Sequence, residues 1–279
     1  MNIRFIPQEE IDRQLYNSCV HFATNGSIYG YDWWLNNTAR DWDLLVEGDK
    51  YVSALPLPKT KNWLGRLQLE QPRLVPELAL YSVKPLSKKR VASFWEAVPA
   101  EFKRGSLTLE PWSIPDEKTR FQLTEATGSV LDLSRPYEEV TDNFDPAWFN
   151  ELAKAELADL MPTGNLKPER IAALYRDFHG AGTETDWHFH AMQRLMYQTL
   201  HRGWGGPWGI QTREGEVLAA VFLIYSHGRL FPLAKTVTEV GKKTGAEAKL
   251  WDNILHAHCG RPLRIKREEI PYIGETEKN

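Results

Sequence analysis

The side chains whose spacing is most suited to chemistry are two histidine pairs, His188-Phe-His190 and His256-Ala-His258, the second followed by Cys259. Both lie in stretches with helical periodicity, where residues two apart point to opposite sides and cannot converge on one metal ion. No Asp, Glu or His of metal-site spacing accompanies them, so no metal is expected. Near a helix C-terminus His256 and His258 meet a favourable dipole instead. Cys19 with His21 nearby would form a nucleophile only as an exposed, activated thiolate. The apolar series Ile11, Leu15, Cys19 and Phe22 turns that thiol inward. The chain has no Gly-x-Ser-x-Gly elbow, Walker loop, His-Glu-x-x-His or dinucleotide fingerprint. What remain are polar groups that a pocket could use, namely Glu184, Asp186, Tyr225, Lys235 and Glu239, none of which marks itself as catalytic. Among aromatics, Tyr29, Tyr31, Trp33 and Trp34 sit on adjacent turns and cannot all face one side. Tyr31 and Trp34, with Lys235, are the candidate substrate-binding residues.

The elements that would position these groups follow from periodicity and punctuation. A strand is expected at Ile3–Ile6, helices over 9–22 and 28–38, and a hairpin over 42–57 closed by Pro56 and Pro58. Strand-like pieces follow at 66–71 and 77–83, then a helix capped by Ser87 and strands at 106–109 and 121–125. After the polar break Ala126-Thr-Gly-Ser129 come a strand at 130–133 and helices over 136–143, 146–160, 168–178 and 184–202. Three strands (207–213, 216–225, 229–236), a glycine-punctuated loop over 239–246, a helix to His258 and a strand at 263–265 complete the pattern. Within it, Trp42-Asp-Leu-Leu-Val-Glu-Gly-Asp-Lys-Tyr-Val-Ser-Ala54 is echoed by Trp208-Gly-Ile-Gln-Thr-Arg-Glu-Gly-Glu-Val-Leu-Ala-Ala220. Each copy follows a helix-like stretch, so the echo predicts a duplicated helix–hairpin domain.

Composition narrows the class. The 279 residues suit two domains of about 140 residues. A net charge of −3 from 34 basic and 37 acidic residues gives no footprint for duplex nucleic acid. Two distant cysteines fit a reducing compartment, and no signal core or 18-residue apolar run is present. A cytoplasmic protein without a membrane partner is the expectation. The 11 tryptophans fit large cores better than a ligand wall. Oligomeric state leaves no trace in the sequence.

Asn25-Gly-Ser-Ile-Tyr-Gly-Tyr-Asp-Trp-Trp-Leu-Asn36, Trp42-Asp-Leu-Leu-Val-Glu-Gly-Asp49 and Ala54-Leu-Pro-Leu-Pro58 resemble a family of uncharacterised bacterial proteins. That family is assigned to the GNAT (acyl-CoA N-acyltransferase) fold, in the tandem arrangement of FemABX-like aminoacyl transferases. Val130-Leu-Asp-Leu-Ser134, Leu218-Ala-Ala-Val-Phe-Leu223, Gly228-Arg-Leu230 and Gly245-Ala246 match the same family more loosely. The resemblance implies an α+β protein of two GNAT-like domains, 1–127 and 128–279, each a mixed β-sheet with helices on its faces. It also implies transfer of an acyl group from a CoA-type or aminoacyl donor to an amine on a small molecule or peptide. Such transfer needs a base for the amine and a donor for the carbonyl oxygen, commonly a main-chain N–H.

By the same resemblance, Lys242, Lys243, Thr244, Gly245 and Ala246 correspond to the segment that holds the diphosphate of acyl-CoA. Lys242 and Gly245 match its basic-x-x-Gly pattern, and Glu247 departs from it by placing a carboxylate where a small residue is usual. The 146–160 helix departs too, with Lys154 against Glu151, Glu156 and Asp159 where relatives are basic. Relatives continue past an Ile-Pro motif into an aromatic helix, where this sequence reads Ile270-Pro-Tyr-Ile-Gly274 and five further residues. These departures define the alternative reading, a non-catalytic ligand- or protein-binding member that has lost the donor site.

Overall fold

The computed structural model describes residues 2–179 and 186–273. The chain divides into two compact units, Met1–Thr127 and Gly128–Asn279. In the first, β1 (Ile3–Ile6) leads to α1 (Arg13–Phe22) and α2 (Asp32–Thr38). Then come β2 (Asp41–Glu47), β3 (Ser53–Lys61), β4 (Leu67–Glu70), β5 (Tyr81–Ser82), α3 (Lys88–Glu96), β6 (Arg104–Leu109) and β7 (Gln122–Glu125). The sheet runs β1-β2-β3-β4-β6-β7, with β5 beside β3. Helix α1 starts at Arg13 rather than Glu9 because the Asp12 carboxylate accepts from Leu15 N at 3.0 Å. The expected 28–38 helix is split after Gly30, where any Cβ would strike the Tyr81 ring, and Asn17 Oδ1 accepts the Asp32 N–H that opens α2.

Pro56 and Pro58 do not end the hairpin strand; β3 continues through them to Lys61. Gly48 N donates to Asn2 O, so the β2 residues in step with Gly48 turn their main-chain groups toward β1. Their β3 partners, Pro56 opposite Leu44 and Pro58 opposite Trp42, therefore owe β2 no N–H. On its other edge β3 pairs with β5 at Ser53 and Ala54 and with β4 from Lys59, leaving residues 55–58 between them without a ladder partner. Both prolines thus occupy places where a missing donor costs nothing.

The second unit comprises β8 (Val130–Asp132), α4 (Tyr137–Thr141), α5 (Pro146–Leu157), β9 (Met161–Thr163), α6 (Pro168–His179) and α7 (Asp186–His201). It continues with β10 (Gly205–Gln211), β11 (Val217–Ser226), β12 (Arg229–Val237), α8 (Glu239–Lys243), α9 (Ala246–His258) and β13 (Arg264–Lys266). Strand order is β8-β13-β12-β11-β10-β9, antiparallel except for β12 with β13. Val217–Ile224 of β11 is buried without interruption, as a central strand covered on both faces must be. Trp148 of α5 and Leu250, Trp251 and Ile254 of α9 pack with Val221 and Leu223 in one core.

Both units follow one plan. A strand, two helices and an antiparallel hairpin (β1-α1-α2-β2-β3; β9-α6-α7-β10-β11) precede an antiparallel neighbour, a helix and a strand that joins in parallel. The hairpins are equivalent in topology but not residue by residue. Trp42 faces Pro58, whereas Trp208 faces Val221, so the two tryptophans differ in register.

Candidate functional site

In the second unit β12 and β13 pair only at Arg229 with Arg264 and Leu230 with Ile265. Beyond that point β12 runs on to Val237 while the chain after β13 turns into a 3-10 turn at Arg267–Glu269. The strands part here. Tyr225 N donates to Trp204 O, and Thr238 N to Leu218 O, which sets the β11 residues 218, 220, 222 and 224 toward β12. Their partners Thr236, Leu233 and Phe231 turn to β11, so Pro232 and Val237 turn their main-chain edge to the gap. Proline fits at 232 for that reason. A bulge follows, marked by a register shift opposite Ala220 and Phe222 and by the left-handed φ of +57° at Ala234.

The bulge places Lys235 at the gap. Its Nζ donates to Glu269 O at 3.0 Å, lies 3.3 Å from Glu247 Oε1 and stands 5.7 Å from the centre of the fully buried Trp251 ring. The Glu247 carboxylate, which would repel a diphosphate, is thereby turned to a cation. Burial holds the Glu269 carboxyl above the usual carboxylate range. Burial, with Glu247 and Glu151 adding repulsion, pushes the Tyr272 phenol up to about 12. The segment carrying Glu269 and Tyr272 closes against the start of α5. Asp145 N donates to Tyr272 O at 2.8 Å, and Tyr272 packs edge-on to Trp148 at 5.3 Å.

The segment expected as an open glycine loop is instead a helical turn. Thr238 caps α8 through Gly241 N (2.9 Å), and Lys242 N and Thr244 N donate to Thr238 O and Val240 O. Lys242 Nζ pairs with Glu239 at 2.6 Å on the surface, and Lys243 is exposed. Gly245 has φ +73°, and a Cβ there would collide with the Glu151 carbonyl of α5. Ala246, fully buried, opens α9, whose first turn has no side-chain cap. Residues 242–246 and Lys235 therefore border the same end of α9.

Tyr31 and Trp34 lie elsewhere, in the core of the first unit, 4% and 1% exposed. The Trp34 indole donates to Leu74 O at 3.1 Å, and the Tyr31 hydroxyl meets His21 Nδ1 at 3.1 Å, its pKa raised by burial to about 12. Cys19 is buried, its thiol also pushed up to about 12 by desolvation. His256 stacks on Tyr137 at 3.7 Å. His258 is buried; its Nδ1–H donates to Ile254 O, which leaves Nε2 to accept from the Tyr225 hydroxyl at 3.0 Å. Asp186 heads α7, Glu239 is taken by Lys242, and Glu184 lies outside the described residues. Among the described residues no three His, Cys, Asp or Glu side chains could hold a metal together, and no helix is long and apolar enough to cross a membrane. Glu269 and Tyr272 were not identified from sequence. The available signal was Lys235 itself, one cation in the apolar run Leu230-Phe-Pro-Leu-Ala-Lys-Thr-Val237, which burial obliges to find acceptors.

Compared with solved structures, the chain matches FemX at a TM-score of 0.66 and 8% identity, over 100% of this chain and 90% of FemX. It also matches a tandem GNAT protein from the clavulanic acid biosynthesis pathway (0.44, 11% identity, 99% and 91% covered). A third match is a conserved Enterococcus faecalis V583 protein of unknown function, described as a probable N-acyltransferase (0.34, 11% identity, 95% and 64% covered). No protein-family model and no curated protein sequence matches the chain. The chain has the fold of FemX and divides into two compact units.

Proposed function

We propose that the chain is an N-acyltransferase or aminoacyltransferase that moves an acyl group from an activated donor to an amine on a small molecule or peptide. The observation that carries this reading is the parting of β12 from β13 after Leu230, which leaves one strand edge open beside Lys235. An extended donor arm can lie along that edge, and the Val237 N–H there can stabilise the oxyanion formed as the amine attacks the acyl carbon. The attacking amine must lose a proton, for which water or a neighbouring carboxylate serves. Lys242 and Lys243 would hold an anionic carrier at the mouth, with Thr244, Gly245 and Ala246 behind them. Acyl-CoA is the proposed donor. For the donor arm to enter, Lys235 must release Glu269. An aminoacyl donor suits the segment equally, because the Gly245–α5 contact narrows the space for a diphosphate on α9.

A second reading, favoured by the Lys235 bridge over Trp251, is a binding protein whose donor cleft is closed. A thermal-shift titration with acetyl-CoA, longer acyl-CoAs and free CoA separates the two. At about 100 times its Kd a ligand adds ~2.7 kcal/mol of stability. A shift that disappears in Lys242→Ala/Lys243→Ala supports a donor at this segment, whereas no shift with CoA species or aminoacyl donors supports the second reading.

A further inference from the structure

The hairpin joining β3 to β4 carries the chain's most exposed tryptophan among the described residues, Trp63, 88% accessible, next to Leu64 at 52%. The turn is built to hold them there. Asn62 Oδ1 accepts from Leu64 N (2.9 Å) and Arg66 N (3.0 Å), Asn62 N donates to Arg66 O, and Gly65 N returns to Asn62 O. Gly65 supplies the left-handed φ of +71° that closes the turn. An ordered turn that projects a large ring and a branched apolar chain into water gains nothing for its own fold.

Basic side chains predominate around the tip. From Lys59 to Gln68 there is no acid, and Lys61 and Arg66 flank the apolar pair, both exposed. The pairing of Asp41 with Lys59 sets exposed Arg40 at the same end of the sheet, and that of Gln68 with Arg104 adds exposed Lys103 and Arg104. Of the acids nearby, Asp41 lies 3.5 Å from Lys59, which is itself held by Asp43 at 2.6 Å, and Glu101 precedes the Lys103–Arg104 pair.

We propose that this hairpin is a membrane-contact element, in which Trp63 and Leu64 enter the headgroup region of an anionic bilayer and the surrounding Lys and Arg meet its lipids. An indole, apolar in body with one N–H, favours that boundary, and basic residues beside it add attraction for anionic headgroups. Two adjacent side chains on a rigid tip suit a depth of about 5–10 Å. The absence of a spanning hydropathy signal does not bear on such attachment, because an interfacial hairpin needs no long apolar run.

The test is co-sedimentation of the full chain with extruded vesicles of phosphatidylcholine alone and of phosphatidylcholine with phosphatidylglycerol. The wild type is expected to partition onto the anionic vesicles and to be released by ~0.5 M salt, where the screening length is only a few Å. Trp63→Ser/Leu64→Ser should lower that partition about tenfold or more without changing the melting temperature, since two apolar insertions are lost. Lys61→Glu/Arg66→Glu should remove the preference for anionic lipid. Failure of the wild type to bind anionic vesicles overturns the proposal and leaves a protein groove as the partner of the tip. Binding that survives loss of Trp63 and Leu64 overturns it as well.

Discussion

Lys235 Nζ lies 3.3 Å from Glu247 Oε1 while donating to Glu269 O, so one side chain ties strand β12 to the start of α9 and to the segment after β13. Both ionic side chains are mostly withdrawn from water, which limits solvent screening. Lys235→Ala should cost about 1–3 kcal/mol, measured as a lowered urea midpoint at unchanged slope, because a half-buried carboxylate and a carbonyl lose their donor. Lys235→Met should recover part of that loss by keeping the alkyl stem over Trp251. An unchanged midpoint in Lys235→Ala would show that the bridge does not hold the gap closed.

Gly245 is a packing requirement as well as part of the proposed donor segment. Its positive φ and the Glu151 carbonyl leave no room for a methyl group. Gly245→Ala should destabilise by about 3 kcal/mol or more, read as a fall in melting temperature of roughly 10 °C. A shift of a degree or two would mean that α5 does not pack on the start of α9.

Acid should weaken the second unit through His258. Burial holds its folded-state pKa below the ordinary value of 6.5, with a smaller contribution from Arg261. The unfolded chain therefore takes up the proton first, and the stability present above the unfolded pKa is lost as pH falls through it toward the folded value. Glu269, raised by burial, acts oppositely at lower pH, where the folded state protonates more readily. Melting curves between pH 7 and 5 should show a decline that His258→Gln flattens. An equal slope in both proteins would refute the assignment.

Thiol labelling gives an independent check on the first unit. Burial pushes the Cys19 thiol up to about 12, so at pH 8 it should resist labelling by a disulfide reagent until that unit unfolds. Cys259, half-buried, should react first. Rapid reaction of Cys19 in the native protein, tested in Cys259→Ser, would contradict the packing of α1.

Much of the fold was legible in local chemistry. The cap at Ser87, the amphipathic face of α1 and the apolar run of β11 each speak through neighbours a few residues away. What escaped depends on distant partners. Strand β9, Met161–Thr163, contains a proline and exists because β10 offers it an edge. Pro56 and Pro58 read as stops because the gap between β4 and β5 that accommodates them is a property of the sheet. The glycines of 239–246 read as a loop, although Gly241 is there because a Cβ would meet Leu218 O, and Gly245 because α5 lies against it. The site was legible only in part. Lys235 was visible as a lone cation in an apolar strand, but Glu269 and Tyr272 become its surroundings only after the chain turns back past β13.

The most direct test of the proposed transfer site is hydrogen exchange of the full chain with and without a saturating acyl-CoA or aminoacyl-nucleotide donor, resolved over residues 229–249. The account predicts slowed exchange confined to β12 beyond Leu230 and to the first turn of α9. Exchange that stays unchanged there with every donor, or protection confined to the first unit, would contradict it.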